Sequence, residues 1–252
     1  MTRFLAPLLV AVACLAAALL LASRRLEDRE PLPDFAQWPA GEIRKREFFD
    51  FLRPLLEAEN DRIMQLRVRL ARIASRLPEQ PPDRRDRRWL DELARDYAVD
   101  KGALPLPQLL EELLVRVDAV PVSLGLAQAA KESGWGTSRF AVKGNALFGQ
   151  RCFDAGCGLV PEARRAGLRH EVRSFRTPAA AVASYVRNLN SHPYYALLRQ
   201  RRAELRAEGR RVTGYALAQS LHTYSERSDD YVDEVRQLIR YNGLGRDTGV
   251  AR

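Results

Sequence analysis

Apolar residues recur at spacings of three and four from Arg44 to Arg76: Phe48, Phe51, Leu52, Leu55 and Leu56, then Ile63, Leu66, Leu70 and Ile73. That period predicts an amphipathic helix, with Pro54 placed to kink or divide it. The stretch LPEQPPD, Leu77 to Asp83, breaks the pattern. A second helix is expected over Arg87–Tyr97, with Trp89, Leu90, Leu93 and Ala94 on one face, and a third over Leu106–Val117. The run VPVSLGLAQAAKESG predicts a fourth, started by Pro121 near its first turn. Between 146 and 176 the helical period is lost, and RHEVRSF alternates, which predicts a short strand and a small hairpin. Helical patterns resume over Pro178–Asn190, Tyr194–Glu208, Thr213–Leu221 and Ser228–Tyr241. The fold class is therefore mainly α, with a small β lobe inserted centrally and a helical region before it.

The first residues follow a different rule. Arg3 is followed by an uncharged apolar run from Phe4 to Ala22, then by Arg24 and Arg25. This predicts an export signal over residues 1–25, either cleaved or kept as a membrane anchor. Small residues at Ala16 to Ala18 and at Ala22-Ser23 would suit cleavage. Cys14 lacks the leucine that usually precedes a lipidated cysteine, since Ala11 stands there. The expected location is outside the cytoplasm, in the periplasm, with inner-membrane attachment if the segment is retained. Residues 26–43 are rich in proline and charge and read as a linker. They are followed by the helical region 44–117, a domain over 118–243 and a tail, 244–252.

Charge adds little. Lys+Arg 41 against Asp+Glu 32 gives a formal net charge of +9, and lysine occurs only at Lys45, Lys101, Lys131 and Lys143. The arginines alternate with acids, as in PPDRRDRRWLDELARD, which is the pattern of a solvated surface. No nucleic-acid motif accompanies them, so nucleic acid is not an expected partner. Cys152 and Cys157, in RCFDAGCG, read as a disulfide in an exported chain. Free thiols and a metal site are the alternatives, but the three histidines, His170, His192 and His222, have no ligand-like spacing. No metal or cofactor is expected.

The chemistry concentrates in QAAKESGWGTSRFAVKGNALFGQ, Gln128 to Gln150. Gly134 and Gly136 would end the fourth helix directly after Glu132. A carboxylate in a last helical turn faces the negative end of the macrodipole, and Trp135 could supply an apolar wall. Both disfavour the charged form and favour a proton donor near neutral pH. A surface glutamate before a capping glycine is the competing account.

The same stretch resembles the signature of the peptidoglycan glucosaminidases of glycoside hydrolase family 73, in the lysozyme-like superfamily. The resemblance runs from Glu-Ser-Gly-Trp-Gly through Ser-Arg-Phe-Ala to Gly-Asn-x-Leu-Phe-Gly. CFDAGCGLVP, HEVRSF, YVRNLNSHPYYALLR and LHTYSERSDDYVDEVRQLIRYN extend it to the Bax-like branch, over roughly residues 44–243. It implies a lysozyme-like helical domain with a small β lobe, acting on peptidoglycan glycan strands. It places the family's catalytic glutamate on Glu132 and its functional tyrosine on Tyr224. The turn around that tyrosine, HTYSERSDDY, departs from the family's usual wording, which leaves the roles of Glu226 and Asp229 open. Trp135, Asn145, Phe148 and Glu226 fall where substrate contacts are expected, although Trp135 and Phe148 would also serve as packing and Asn145 as a turn residue. A second glutamate belongs in the β lobe, with Glu162 and Glu171 as equal candidates; substrate assistance by the 2-acetamido group would need neither. Arg187 and Arg199 are further positions that could meet acidic stem peptides. The implied reaction is cleavage of the β-1,4 bond between GlcNAc and MurNAc. Rival readings are a lytic transglycosylase on the same fold and a non-catalytic wall-binding scaffold.

Overall fold

The computed structural model describes residues 30–165, 167–222 and 228–246. Among these, helices dominate: α1 (Glu42–Arg76), α2 (Arg84–Asp96), α3 (Leu106–Arg116), α4 (Val122–Ser133), α5 (Arg139–Gly144), α6 (Pro178–Ser191), α7 (Ala196–Ala207), α8 (Gly214–Ala218) and α9 (Ser228–Tyr241). Three short strands, β1 (Arg151–Cys152), β2 (Gly158–Leu159) and β3 (Glu171–Arg173), lie between α5 and α6. This is the mainly α, lysozyme-like architecture with a small sheet that the sequence predicts. No helix among the described residues is long and apolar enough to cross a membrane. The apolar run Phe4–Ala22 and the signal or anchor expected there lie outside the described residues.

α1 runs for 35 residues without a break at Pro54. Proline removes the bond to the carbonyl four residues back. Here that carbonyl belongs to Asp50, and both residues lie on the exposed face, where water can replace the lost donor. Phe48, Phe49, Leu52, Leu56, Ile63, Leu70 and Ile73 bury the opposite face. One continuous core joins them to α4, α6 and α9, and takes in Leu113, Leu124, Leu126, Val186 and Val235. The region before residue 118 therefore completes the core that holds α4 rather than standing apart from it.

The segment read as a linker behaves differently from its composition. Leu32 and Phe35 are buried in the core, and Phe35 meets Phe48 and Phe51 edge-to-face. The Glu30 amide donates to the Arg176 carbonyl. Proline and charge dominate the count of this stretch, but Leu32, Phe35 and Trp38 are spaced to dock one side of it.

The sheet has the order β1-β3-β2 and is antiparallel throughout, with Cys152 opposite Glu171 and Gly158 opposite Arg173. It is not the single hairpin that alternation suggested. β1 and β2 flank a central strand that arrives later in the chain. A β-carbon on Gly158 would lie 1.9 Å from the Val172 carbonyl oxygen, so only glycine fits this crossing.

The five residues before α4, Val117 to Pro121, are fixed by side chains from three other helices. Asn60 of α1 reads the Val120 backbone with both ends of its amide, donating to the carbonyl at 2.7 Å and accepting from the N–H at 2.9 Å. Asn190 of α6 donates to the Asp118 carbonyl. Arg202 of α7 donates to the Asp118 and Ala119 carbonyls. A non-repetitive segment buried in a core carries backbone groups that need partners, and these side chains supply them. The start of α4 is thereby set by the rest of the fold.

Candidate active site

α4 is buried almost along its whole length, from Ser123 to Ala130. Its small residues allow this: a β-carbon on Gly125 would come within 2.6 Å of Leu56. Glu132 is half-buried in the last turn. Gly134 then caps the helix in the left-handed region at φ 58°, and Trp135 and Gly136 stay there at 60° and 76°. Tryptophan in that conformation costs about 1–2 kcal/mol. The turn is held by Ser133, whose hydroxyl donates to the Ala129 carbonyl and accepts from the Gly136 N–H. At Gly136 a β-carbon would collide with Phe35 at 2.5 Å. The two glycines thus serve different needs, one capping the helix and one admitting an aromatic ring.

Burial pushes the Glu132 carboxyl above the usual glutamate range. A hydrogen bond from Tyr231 and the nearby Lys131 pull it back, and Glu234 pushes it up. Gly149, left-handed at φ 62°, passes so close that a β-carbon there would be 3.3 Å from Glu132 Oε2. The distal end of the sequence motif is therefore folded onto its glutamate.

Behind Glu132 lies a chain of polar groups. The Tyr185 hydroxyl donates to Gln128 Oε1 at 2.6 Å, and Gln128 Nε2 donates to the Tyr231 hydroxyl at 2.9 Å. Tyr185 stacks on Phe148 with ring centres 3.9 Å apart and planes 8° from parallel. Burial raises the Tyr185 and Tyr231 hydroxyls far above the usual tyrosine range, so both stay protonated donors. Sequence reasoning missed Gln128, Tyr185 and Tyr231. The available signal was Gln128, a polar residue one helical turn before Glu132 inside the run Leu124–Ala130, whose other residues are apolar or glycine.

The predicted contacts separate. Phe148 is 2% exposed and packs on Tyr185, so it shapes the site from beneath rather than offering a face to a sugar. Asn145 is fully buried. Its side chain accepts from the Leu32 N–H and donates to the Glu30, Phe175 and Arg176 carbonyls, while its backbone caps α5 at φ 51°. It ties the N-terminal segment to the end of the β lobe. Trp135 packs edge-to-face on Phe48 and Phe49 of α1, with the Lys45 ammonium 5.7 Å from its ring centre. It also lines a groove of about 290 Å³ together with Lys131, Glu234, Gln237, Leu238 and Tyr241. Lys131 and Glu234 form an ion pair across that groove. Tyr224 and Glu226 lie outside the described residues.

The two β-lobe carboxylates are also placed differently. Glu171 accepts from the Gly156 N–H at 3.1 Å and from the Gly158 N–H at 2.8 Å, one on each oxygen. These bonds hold the Glu171 carboxyl below the usual glutamate range and clamp the loop closed by the Cys152–Cys157 disulfide. Cys152, Cys157 and Glu171 lie together, but both sulfurs are used in the bond between them. Glu162 is exposed, between β2 and β3, and pairs with Arg139 at 3.3 Å. Of the arginines considered for stem peptides, Arg199 is buried and donates to the Leu189 and His192 carbonyls, and Arg187 pairs with Asp96.

The Glu171 clamp has a pH signature. Because its carboxyl is depressed on folding, its contribution to stability is present above the unfolded value and is lost as the pH falls through the folded one. The Gly156 and Gly158 amide resonances are expected to titrate together, with a midpoint below the ordinary glutamate range. A midpoint at or above that range would mean that the carboxylate does not hold the loop.

A family model described as mannosyl-glycoprotein endo-beta-N-acetylglucosaminidase matches residues 108–244. The chain is also similar to the protein bax of Escherichia coli (strain K12), at 34% identity over 210 residues, covering 83% of this chain and 73% of that protein. No solved structure matches the chain.

Proposed function

The chain belongs to the glucosaminidase family, and from that premise we propose that this glycoside hydrolase cuts peptidoglycan between GlcNAc and MurNAc, with Glu132 as general acid. The observation that carries the reading is the setting of Glu132. It is a half-buried carboxyl raised by burial, at the end of a helix that the whole core positions. A carboxyl so raised holds its proton to a higher pH than a free glutamate does and can give it to the glycosidic oxygen as the bond to the leaving sugar breaks. Tyr224 is the family's functional tyrosine carried onto this sequence.

Glu162 is the β-lobe carboxylate favoured as the second group, since it is open to solvent and Glu171 is engaged by two backbone donors. If substrate assistance operates instead, the 2-acetamido oxygen attacks the anomeric carbon and Glu162 is dispensable. The reading places the work outside the cytoplasmic membrane, supported by the apolar run Phe4–Ala22 between Arg3 and Arg24.

The test is digestion of purified sacculi, followed by mass spectrometry of the released fragments. New reducing ends on GlcNAc are expected. Reducing MurNAc would overturn the bond assignment. Anhydro-MurNAc, lighter by one water, would make the chain a lytic transglycosylase. Binding without release would make it a scaffold.

A further inference from the structure

The groove of about 290 Å³ lies between the end of α4 and α9. Glu234, Gln237, Leu238 and Tyr241 follow one another at spacings of three, one and three, so they form one stripe of α9, opposite Lys131 and Trp135. The volume is at the low end for small-ligand sites, roughly 300–1,000 Å³, and suits one ring rather than a long peptide. Two aromatic side chains wall it. Tyr241 is 82% exposed. Trp135 is half-buried and held left-handed at φ 60°, a strained conformation of the kind that collects at ligand sites. Trp135 follows Glu132 by three residues, and consecutive Cα atoms are about 3.8 Å apart, so their Cα atoms lie no more than about 11 Å apart. The groove is therefore beside the turn that carries Glu132.

Its charges are balanced. Lys131 pairs with Glu234 across it, and Lys45, 5.7 Å from the Trp135 ring centre, pairs with Glu42 at 2.6 Å. Each lysine at the groove already has its anion. We propose that this groove is a subsite for a neutral N-acetylhexosamine, a GlcNAc of the bound strand, with Trp135 and Tyr241 against its ring and Gln237 bonded to its acetamido group. This deepens the hydrolase reading and rests on it for the identity of the polymer. The lining selects the occupant. An acidic stem peptide would bring carboxylates against Glu234. An apolar partner would cover the Lys131–Glu234 pair and the Gln237 amide without satisfying them, which is costly. A sugar supplies hydroxyls to the charged pair and apolar C–H groups to the aromatic walls. The Gln237 side chain has both a donor and an acceptor, as the acetamido group does.

The test uses the full chain with Glu132→Gln, titrated with the β-1,4 tetramer of GlcNAc and followed by NMR. The Gln237, Leu238 and Tyr241 amides and the Trp135 indole N–H are expected to shift together. Adding Tyr241→Ala should weaken the binding roughly three- to tenfold. In the cleaving enzyme, Tyr241→Ala should raise KM on soluble peptidoglycan strands by a similar factor with kcat nearly unchanged. Tyr241 is exposed, so the melting transition should stay in place. Gln237→Ala, also at an exposed residue, should act in the same direction, and it decides the matter if Tyr241→Ala folds poorly. Groove resonances unmoved by millimolar tetramer, or wild-type affinity in both variants, would overturn the subsite. Shifts produced by the sugar-free stem peptide and not by the tetramer would overturn it too, making the groove a peptide site. If muropeptides are released while the groove stays unmoved, the subsite falls alone. If the groove binds the tetramer in a chain that releases no glycan, the hydrolase reading falls alone.

Discussion

Glu132→Gln is expected to lower peptidoglycan turnover by about 10²–10⁴-fold, the usual contribution of a positioned acid. At neutral pH it is also expected to leave the chain more stable than the wild type. The two effects share a cause. The carboxyl ionises at a higher pH in the folded chain than in the unfolded one, because the end of α4 is partly desolvated. Its contribution to stability is therefore present below the ordinary glutamate value and lost as the pH rises through the raised one. The amide of glutamine has the same shape and never ionises, so the variant escapes that loss. Urea midpoints of the two proteins should nearly coincide at pH 4 and separate by pH 8, with the variant ahead. Lytic activity, measured as soluble muropeptide released, should fall across the whole pH range. Undiminished activity would remove Glu132 as the acid. A variant less stable at pH 8 would mean that Tyr231 and Lys131 stabilise the carboxylate by more than burial disfavours it.

Most of the helices were legible because their apolar residues repeat with a period that only a helix satisfies; the register of Leu106–Arg116 and Ser228–Tyr241 follows from it directly. Glu132 was legible because a carboxylate, a glycine and a tryptophan in sequence leave a local mark. What escaped depends on neighbours far away in the chain. Asn145 reads as a sugar ligand in the motif, yet it pairs with Leu32 and Glu30 more than a hundred positions earlier. Glu162 and Glu171 are indistinguishable by spacing, and separate only once β3 places Glu171 beneath the Gly156 and Gly158 amides. Tyr231 looks like one more apolar position of α9. Its hydroxyl acquires meaning from Gln128, 103 residues away, through a contact no local pattern records. The segment from Glu30 was misread because composition was weighed there and the spacing of three apolar residues was not.

Asp118→Asn is expected to destabilise the fold by about 3–5 kcal/mol, the range for removing one partner of a buried charge pair. Asp118 is 2% exposed and sits among three guanidinium groups. Arg206 binds it with two bonds of 2.6 and 2.7 Å, and Arg202 and Arg67 lie at 3.6 and 3.8 Å. Arg202 is fully buried, and desolvation lowers it to about 10, so it remains charged at neutral pH. Neutralising the aspartate would leave three cations facing one another with the shared anion gone. Arg202 cannot withdraw, because its other donors satisfy the Val115 and Ala119 carbonyls and Asn190 Oδ1. Stabilities of whole domains run to about 5–15 kcal/mol, so the loss should be visible as poor accumulation and an early urea midpoint. Removing one cation as well should recover part of it. Arg206→Gln, at the more open edge of the cluster, is the right second change, and Asp118→Asn/Arg206→Gln should be less damaged than the sum of the two single variants. Simple additivity would mean that Asp118 and Arg206 do not stabilise one another. The same cluster grips the residues that lead into α4, so partial rescue of stability should carry with it partial rescue of turnover, since Glu132 keeps its place only while the start of its helix is fixed.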